Sequence, residues 1–314
     1  MQEPRAHPGS TDRDAAPGRG RIMEEKVTFQ SAGHTLAGVL QIPDGLKPGE
    51  RRAAVIVLHG FGGTMAGPGG NNPGQLFCDM GYVAFRFDFR GCGQSEGERG
   101  RIICLEEVED ARNALSYLAG RPEVVSTRIA LMGESFGAAV AVYAGGVDER
   151  VAAVLSSGGW GDGEKKFRRQ HPGGEAWARF TRMIEEGRNE RARTGKTVMV
   201  PRYDVVPIPA AMRGLLPAGS IMEFPLETVE SMMAFRANEV VGRIAPRPLL
   251  LLHSAKDSVT PTEQSIDLFR HAGQPTDLHL IADVDHFMFT HQSPLVAGLI
   301  RNWLDRHFPA RPAA

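Results

Sequence analysis

The chain has only three cysteines in 314 residues: Cys78, Cys92 and Cys104. That is too few for a disulfide framework, and the odd number suits a reducing compartment. There is no C-x-x-C pair and no His/Cys cluster at zinc spacing, so no metal site is expected. No apolar run reaches the roughly 18 residues that a membrane helix needs. The opening segment MQEPRAHPGSTDRDAAPGRGR lacks an apolar stretch and does not read as a secretory signal. An excess of one charge is missing as well. Lys plus Arg number 36 and Asp plus Glu 37, a formal net charge of −1. No global field therefore favours nucleic acid or an anionic membrane as partner. These absences leave the expectation of a soluble, cytoplasmic protein, with self-association neither required nor excluded.

Hydrophobic residues make up 42% of the chain and charged residues 23%. That is ordinary globular usage and rules out a disordered or fibrous chain. Glycine is abundant at 37, without a collagen-like period, which points to many tight turns. Residues 1–22 are rich in Pro, Gly and charge and read as a disordered tail. KVTFQSAGHTLAGVLQIP reads as a hairpin about a Ser-Ala-Gly-His turn. RAAVIVL, YVAFRF, RIALM, VAAVLSS and PLLLLHS are short apolar runs, as expected of strands covered on both faces, and TDLHLIADV is read as a further strand. Helical patterns alternate with them. EEVEDARNALSYLAG carries Val108, Ala111, Ala114, Leu115 and Leu118 on one face. TEQSIDLFRHAG is read with Ile266, Phe269 and the stem of Arg270 facing inward. PLVAGLIRNWLDRHF closes the chain as an amphipathic helix.

This alternation predicts an α/β fold with a mostly parallel, doubly wound sheet. Residues 23–160 and 237–314 would form its core. Residues 161–236 break the rhythm and read as an inserted, largely helical lid. It holds EAWARFTRMIEEG (with Trp177, Phe180 and Ile184 on one stripe), a proline-broken middle, and ETVESMMAFRANE. Its segment 160–195 carries nine Lys or Arg against six Asp or Glu. Attraction of an anionic substrate is one reading, and a solvated helix face is the simpler one. Met199, Met212, Met222, Met232 and Met233 make the lid Met-rich. They suit either an adaptable apolar pocket or plain core filling.

The strongest chemical signal is Gly133-Glu134-Ser135-Phe136-Gly137. It lies between the apolar run 129–132 and the small-residue run 138–142. Strand, sharp turn and helix are the context that a G-x-S-x-G nucleophile requires. A serine hydroxyl is a weak nucleophile at neutral pH and needs a base held by a third group. Asp257 follows the strand 249–254, and His286 follows the last strand. Ser, Asp, His is the chain order expected, and all three loops open on one sheet edge. Asp162, after the preceding strand, is the alternative acid. His253 ends a strand and is expected to pack, while His271, His279, His291 and His307 fall within predicted helices or strands. Asp283 and Asp285 flank His286 too closely along the chain to face it. HGFGG (59–63) follows a strand without the Lys-Ser/Thr ending of a phosphate loop. Its Phe61 amide, with that of Phe136, would form an oxyanion hole.

HGFGG, FDFRGCGQSEG (87–97), GESFG, KDSVTP and DHF together resemble the α/β-hydrolase fold in their order. The hairpin and the Asp88-x-Arg90-Gly91 segment resemble the branch holding serine aminopeptidases, dienelactone-hydrolase-like and X-Pro dipeptidyl-peptidase-like enzymes. Ser135 departs from the cysteine nucleophile of the dienelactone hydrolases. The resemblance spans 23–160 and 237–309 and implies structural roles for Asp88 and Arg90. Glu134 is expected to pack or join a polar network. It also implies a serine hydrolase acting on a carboxylic ester or related acyl bond of a small molecule, without cofactor. Amide, peptide or carbon–carbon hydrolysis, or acyl transfer, would use the same residues. A non-catalytic binding protein on this fold would be expected to have lost one of them.

Overall fold

The computed structural model describes residues 22–70, 73–289 and 293–311. The tail expected over 1–22 thus lies almost wholly outside the described residues, as does His291. The chain opens with β1 (Met23–Ser31) and β2 (His34–Ile42), paired antiparallel through a two-residue turn. Ala32 and Gly33 both take positive φ there, the turn that matches strand twist. Then follow β3 (Arg52–Leu58), α1 (Pro73–Asp79), β4 (Val83–Phe87), α2 (Cys104–Ala119), β5 (Val124–Glu134), α3 (Phe136–Val147) and β6 (Val151–Ser157). After an insertion come β9 (Leu249–Ser254), α8 (Glu263–His271), β10 (Thr276–Ile281) and α9 (Pro294–His307).

The eight-stranded sheet runs β1-β2-β4-β3-β5-β6-β9-β10. All pairs from β4 onward are parallel, and only the hairpin edge is antiparallel. Strand β3 beyond Arg52 and residues 249–252 of β9 are uniformly apolar because both faces of the sheet are covered there. Ala54, Ile56 and Leu58 of β3 face one core with α2 and α3, while Ala53, Val55 and Val57 face the other with α1 and α9. The expected stripe on α2 is buried in full. The reading of α8 needs correcting: Gln264, Ser265 and Leu268 are buried, while Phe269 is 37% exposed and Arg270 is exposed. Polar bonds turn the helix. Ser265 Oγ meets His253 Nδ1 at 2.6 Å, and Gln264 Oε1 accepts from the amides of Gly161 and Asp162.

The insertion holds α4 (Gly163–Gln170), α5 (Gly174–Thr194), β7 (Met199–Pro201), α6 (Arg202–Val205), β8 (Glu223–Pro225) and α7 (Leu226–Ala234). The proline-broken middle is more ordered than expected: β7 and β8 form a two-stranded antiparallel ribbon. Helix α7 docks on the start of α2, where Thr228 and Ser231 hydroxyls accept from the amides of Ile102 and Cys104. The basic face of α4 and α5 is paired along the surface, as in Arg168–Glu164, Arg191–Glu230 and Arg193–Glu190. That arrangement is the solvated helix face. Met232 is core, and Met199 and Met222 are exposed. Among the described residues no helix is long and apolar enough to cross a membrane.

One buried ion pair braces the loop after β4. Arg90 is bonded to Asp110 of α2 through Nε and Nη2, at 3.0 and 2.6 Å, and the Asp110 side chain is fully buried. Asp88 accepts from the amides of Met65 and Gln94 at 2.7 and 2.8 Å. Both residues are thus structural in their contacts. Asp110→Ala would remove the only fully buried carboxylate paired with the Arg90 guanidinium among the described residues and leave it the more exposed carboxylates of Glu106 and Glu109. It should lower the unfolding free energy by about 3–5 kcal/mol, read from urea denaturation. A loss below about 1 kcal/mol would contradict this account.

Candidate active site

Strand β5 ends at Glu134, and α3 begins at Phe136. Ser135 alone makes the turn, with φ 53° and ψ −112°. That strained backbone is held by the Ser135 amide donating to Ser157 O at 2.8 Å. The turn also requires bare backbone on either side. A Cβ on Gly133 would lie 2.1 Å from Gly137 O, and one on Gly137 would lie 2.3 Å from Leu58 O. The glycine spacing is therefore a packing requirement.

His286 lies beside Ser135. Its Nε2 is 2.9 Å from Ser135 Oγ, and its Nδ1 is 2.8 Å from Asp257 Oδ2. With the proton on Nδ1, the imidazole donates to Asp257 and accepts from the serine hydroxyl. Both side chains are buried. The other Asp257 oxygen accepts from the amides of Val259 and Thr260 at 2.8 and 2.7 Å. Burial alone would raise the Asp257 carboxyl. The His286 imidazole and hydrogen bonds from His253 and His286 outweigh it and hold the group well below the usual carboxylate range. Gly158, at φ 63°, runs behind the pair, where a Cβ would sit 3.5 Å from the His286 ring.

The structure thus brings Ser135, His286 and Asp257 into one hydrogen-bonded line. Asp162 is placed elsewhere: it caps α4, accepting from the Lys165 amide at 3.0 Å. His253 does more than pack, since its Nε2 lies 3.3 Å from Asp257 Oδ2. Asp285 is a second residue whose role the sequence did not reveal. Among the described residues, the His286 ring nitrogens are bonded to Asp257 and Ser135 and not to Asp285. The Asp285 carboxylate instead accepts from the amide and hydroxyl of Ser258 and from the amide of His286, at 2.9, 2.8 and 2.7 Å. It therefore ties the Asp257 loop to the His286 loop. Pairing of a loop with its neighbour is a tertiary property, and no spacing in the chain signals it.

The loop after β3 passes directly over the turn. A Cβ on Gly60 would lie 3.7 Å from Ser135 Cβ. Phe136 opens α3, so its amide is one of the helix's free N-terminal donors. Phe61 sits in the same loop, its ring 6.0 Å from that of Phe136. His59 anchors the loop: it pairs with Gly60 O and accepts from the Phe89 amide at 3.2 Å. Burial pushes its imidazole down, toward the neutral form. A narrow cavity of about 40 Å³ lies above Ser135, walled by His59, Phe61, Arg202, Val206, Ile208 and Leu216, among others. None of the five insertion methionines lines it. Among the described residues no group of three or more His, Cys, Asp or Glu is placed to hold a metal ion.

Residues 49–292 match the family described as serine aminopeptidase, S33. The chain belongs to this family of α/β-hydrolases. It is 25% identical over 293 residues to an uncharacterized 31.7 kDa protein of the traX-finO intergenic region of Escherichia coli, spanning 90% of this chain and 99% of that one. It is 26% identical over 226 residues to polyketide transferase grgF of Penicillium sp, spanning 68% and 74%. Among solved structures, hypothetical protein PA2218 of Pseudomonas aeruginosa superposes with a TM-score of 0.75 at 23% identity, covering 91% of this chain and 94% of that one. The family is one of hydrolytic enzymes, and the eight-stranded, mostly parallel sheet is its fold.

Glu134 is a further charge-bearing group at the site. Burial pushes its carboxyl up to about 7, opposed in part by His286. Between the ordinary value of 4.5 and about 7, the folded state binds the extra proton here. Stability then falls as pH rises through that window. Glu134→Gln should flatten the loss, by roughly 3 kcal/mol at most. Denaturation at about pH 5 and about pH 8 measures it. Identical pH dependence in both proteins would remove Glu134 from this role.

Proposed function

We propose that this protein is a serine hydrolase that cleaves a carboxylic ester or related acyl bond of a small molecule. The reading is carried by the imidazole of His286, 2.9 Å from the Ser135 hydroxyl and 2.8 Å from the Asp257 carboxylate. Ser135 attacks the carbonyl as His286 takes its proton. Asp257 holds the imidazole tautomer and stabilises the imidazolium that forms. The amides of Phe61 and Phe136 receive the developing oxyanion, each worth about 3 kcal/mol to the transition state. His286 returns the proton to the leaving group, and water then releases the acid from the acyl-enzyme by the reverse sequence. No cofactor enters this cycle.

The insertion acts as the lid in this scheme. The cavity over Ser135 is narrow, and Val206, Ile208, Leu216 and Pro217 of the insertion form part of its wall. These apolar side chains would set the size and shape of the acyl group that reaches Ser135. A second reading is transfer of the acyl group to an acceptor other than water. Its support is the relative named as a polyketide transferase. The same acyl-enzyme serves both outcomes.

The test is turnover of p-nitrophenyl esters with capture of the acyl-enzyme by mass spectrometry. Ser135→Ala should lose all measurable turnover and all fluorophosphonate labelling. Asp257→Asn should keep the fold and lose about 10⁴-fold in kcat. Turnover surviving in Ser135→Ala at the wild-type level would refute the assignment. Acyl-enzyme consumed faster with an added alcohol or amine than with water would favour transfer.

A further inference from the structure

Arg202 of α6 lies in the insertion, yet it lines the cavity over Ser135. The residue is only 3% exposed. Nη1 donates to Ile221 O at 2.7 Å, and Nη2 donates to Phe61 O. Nε–H is buried and has no acceptor among the described residues. No carboxylate lies within ion-pair distance of this guanidinium among the described residues, whereas buried Arg90 is paired with Asp110. The rings of Phe61 and Phe224 lie 5.5 and 5.8 Å from its centre, a weak substitute for a counter-ion. Cys92, whose thiol burial pushes up, and His59, whose imidazole burial pushes down, supply no negative charge. The interior thus holds an uncompensated cation, with an unused donor, at the wall of the reaction chamber.

A buried charge without a partner is costly, and burial lowers the Arg202 pKa to about 10. The cost is offset when a ligand brings the missing anion into the same low-dielectric space. Guanidinium suits a carboxylate especially well, because its planar donors match two oxygens at once. We propose, building on the hydrolase reading, that Arg202 is a specificity residue. It selects esters that carry a carboxylate near the scissile bond. Ser135 and His286 line the same cavity, so one substrate touches both the nucleophile and this cation.

The test compares two matched pairs of esters on the full-length protein. p-Nitrophenyl hemiglutarate against p-nitrophenyl valerate places the charge in the acyl portion. p-Carboxyphenyl acetate against phenyl acetate places it in the leaving group. In one pair the wild type should favour the charged ester by about tenfold or more in kcat/KM. In Arg202→Gln, which retains a donor for Phe61 O, that preference should collapse, mainly through KM, while Arg202→Lys should keep part of it. Absence of preference in both pairs would overturn the proposal. So would an equal proportional loss on charged and neutral esters in Arg202→Gln, the signature of support to the oxyanion loop alone. A wild-type arm avoids any dependence on variant folding: glutarate should slow fluorophosphonate labelling of Ser135 more than valeramide does, and equal effects count against Arg202. Turnover of neutral esters that vanishes in Ser135→Ala would uphold the hydrolase reading even where the charge preference is missing.

Discussion

The Asp257 carboxylate is shut off from water, and its charge must be matched within the protein. Two backbone amides from its own loop, the His286 imidazole and the His253 ring supply the match. That requirement holds the imidazole in one orientation, with Nε2 aimed at Ser135. Among the described residues, no other group is bonded to Nδ1 to define the tautomer. The surrounding architecture secures this arrangement. Asp285 clasps the two loops together, Gly158 clears space behind the ring, and the Ser135 turn is pinned to β6.

Two kinds of polar burial coexist around the sheet. Arg90 and Asp110 satisfy each other and brace the loop after β4. Arg202 is buried without a carboxylate, and Glu134 is buried beside an imidazole that relieves it only partly. Arg202 and Glu134 lie at the site, whereas Glu107 and Lys166, whose buried charged atoms have no hydrogen-bond partner among the described residues, do not line the cavity over Ser135. The insertion contributes Arg202, which lines the same cavity as Ser135.

Much of the fold was legible because burial on both faces leaves a plain mark. Residues 53–58 and 249–252 are apolar without alternation, and only a covered sheet explains that. Helix α8 departs from its apolar periodicity because that pattern ignores polar bonds. Gln264 and Ser265 turn inward to serve the Gly161 and Asp162 amides and the His253 ring. The ribbon of β7 and β8 escaped notice because its strands are three residues each and end in prolines, too short for any period to show.

At the site, what the chain alone determined was the set of groups and their order. Ser135 sits in a glycine-flanked turn, because any side chain at 133 or 137 would strike backbone. Asp257 and His286 follow strands, so they emerge at one edge. Local sterics and strand direction are properties of short segments, and short segments carry their own signal. The tertiary structure decided the rest: that His253 joins Asp257, that Asp285 ties two loops, and that Arg202 crosses from the insertion to Phe61 without a counter-ion. These are contacts between residues up to 141 positions apart. They depend on how layers dock, and docking is set by the summed packing of many side chains, which no single stretch of sequence records.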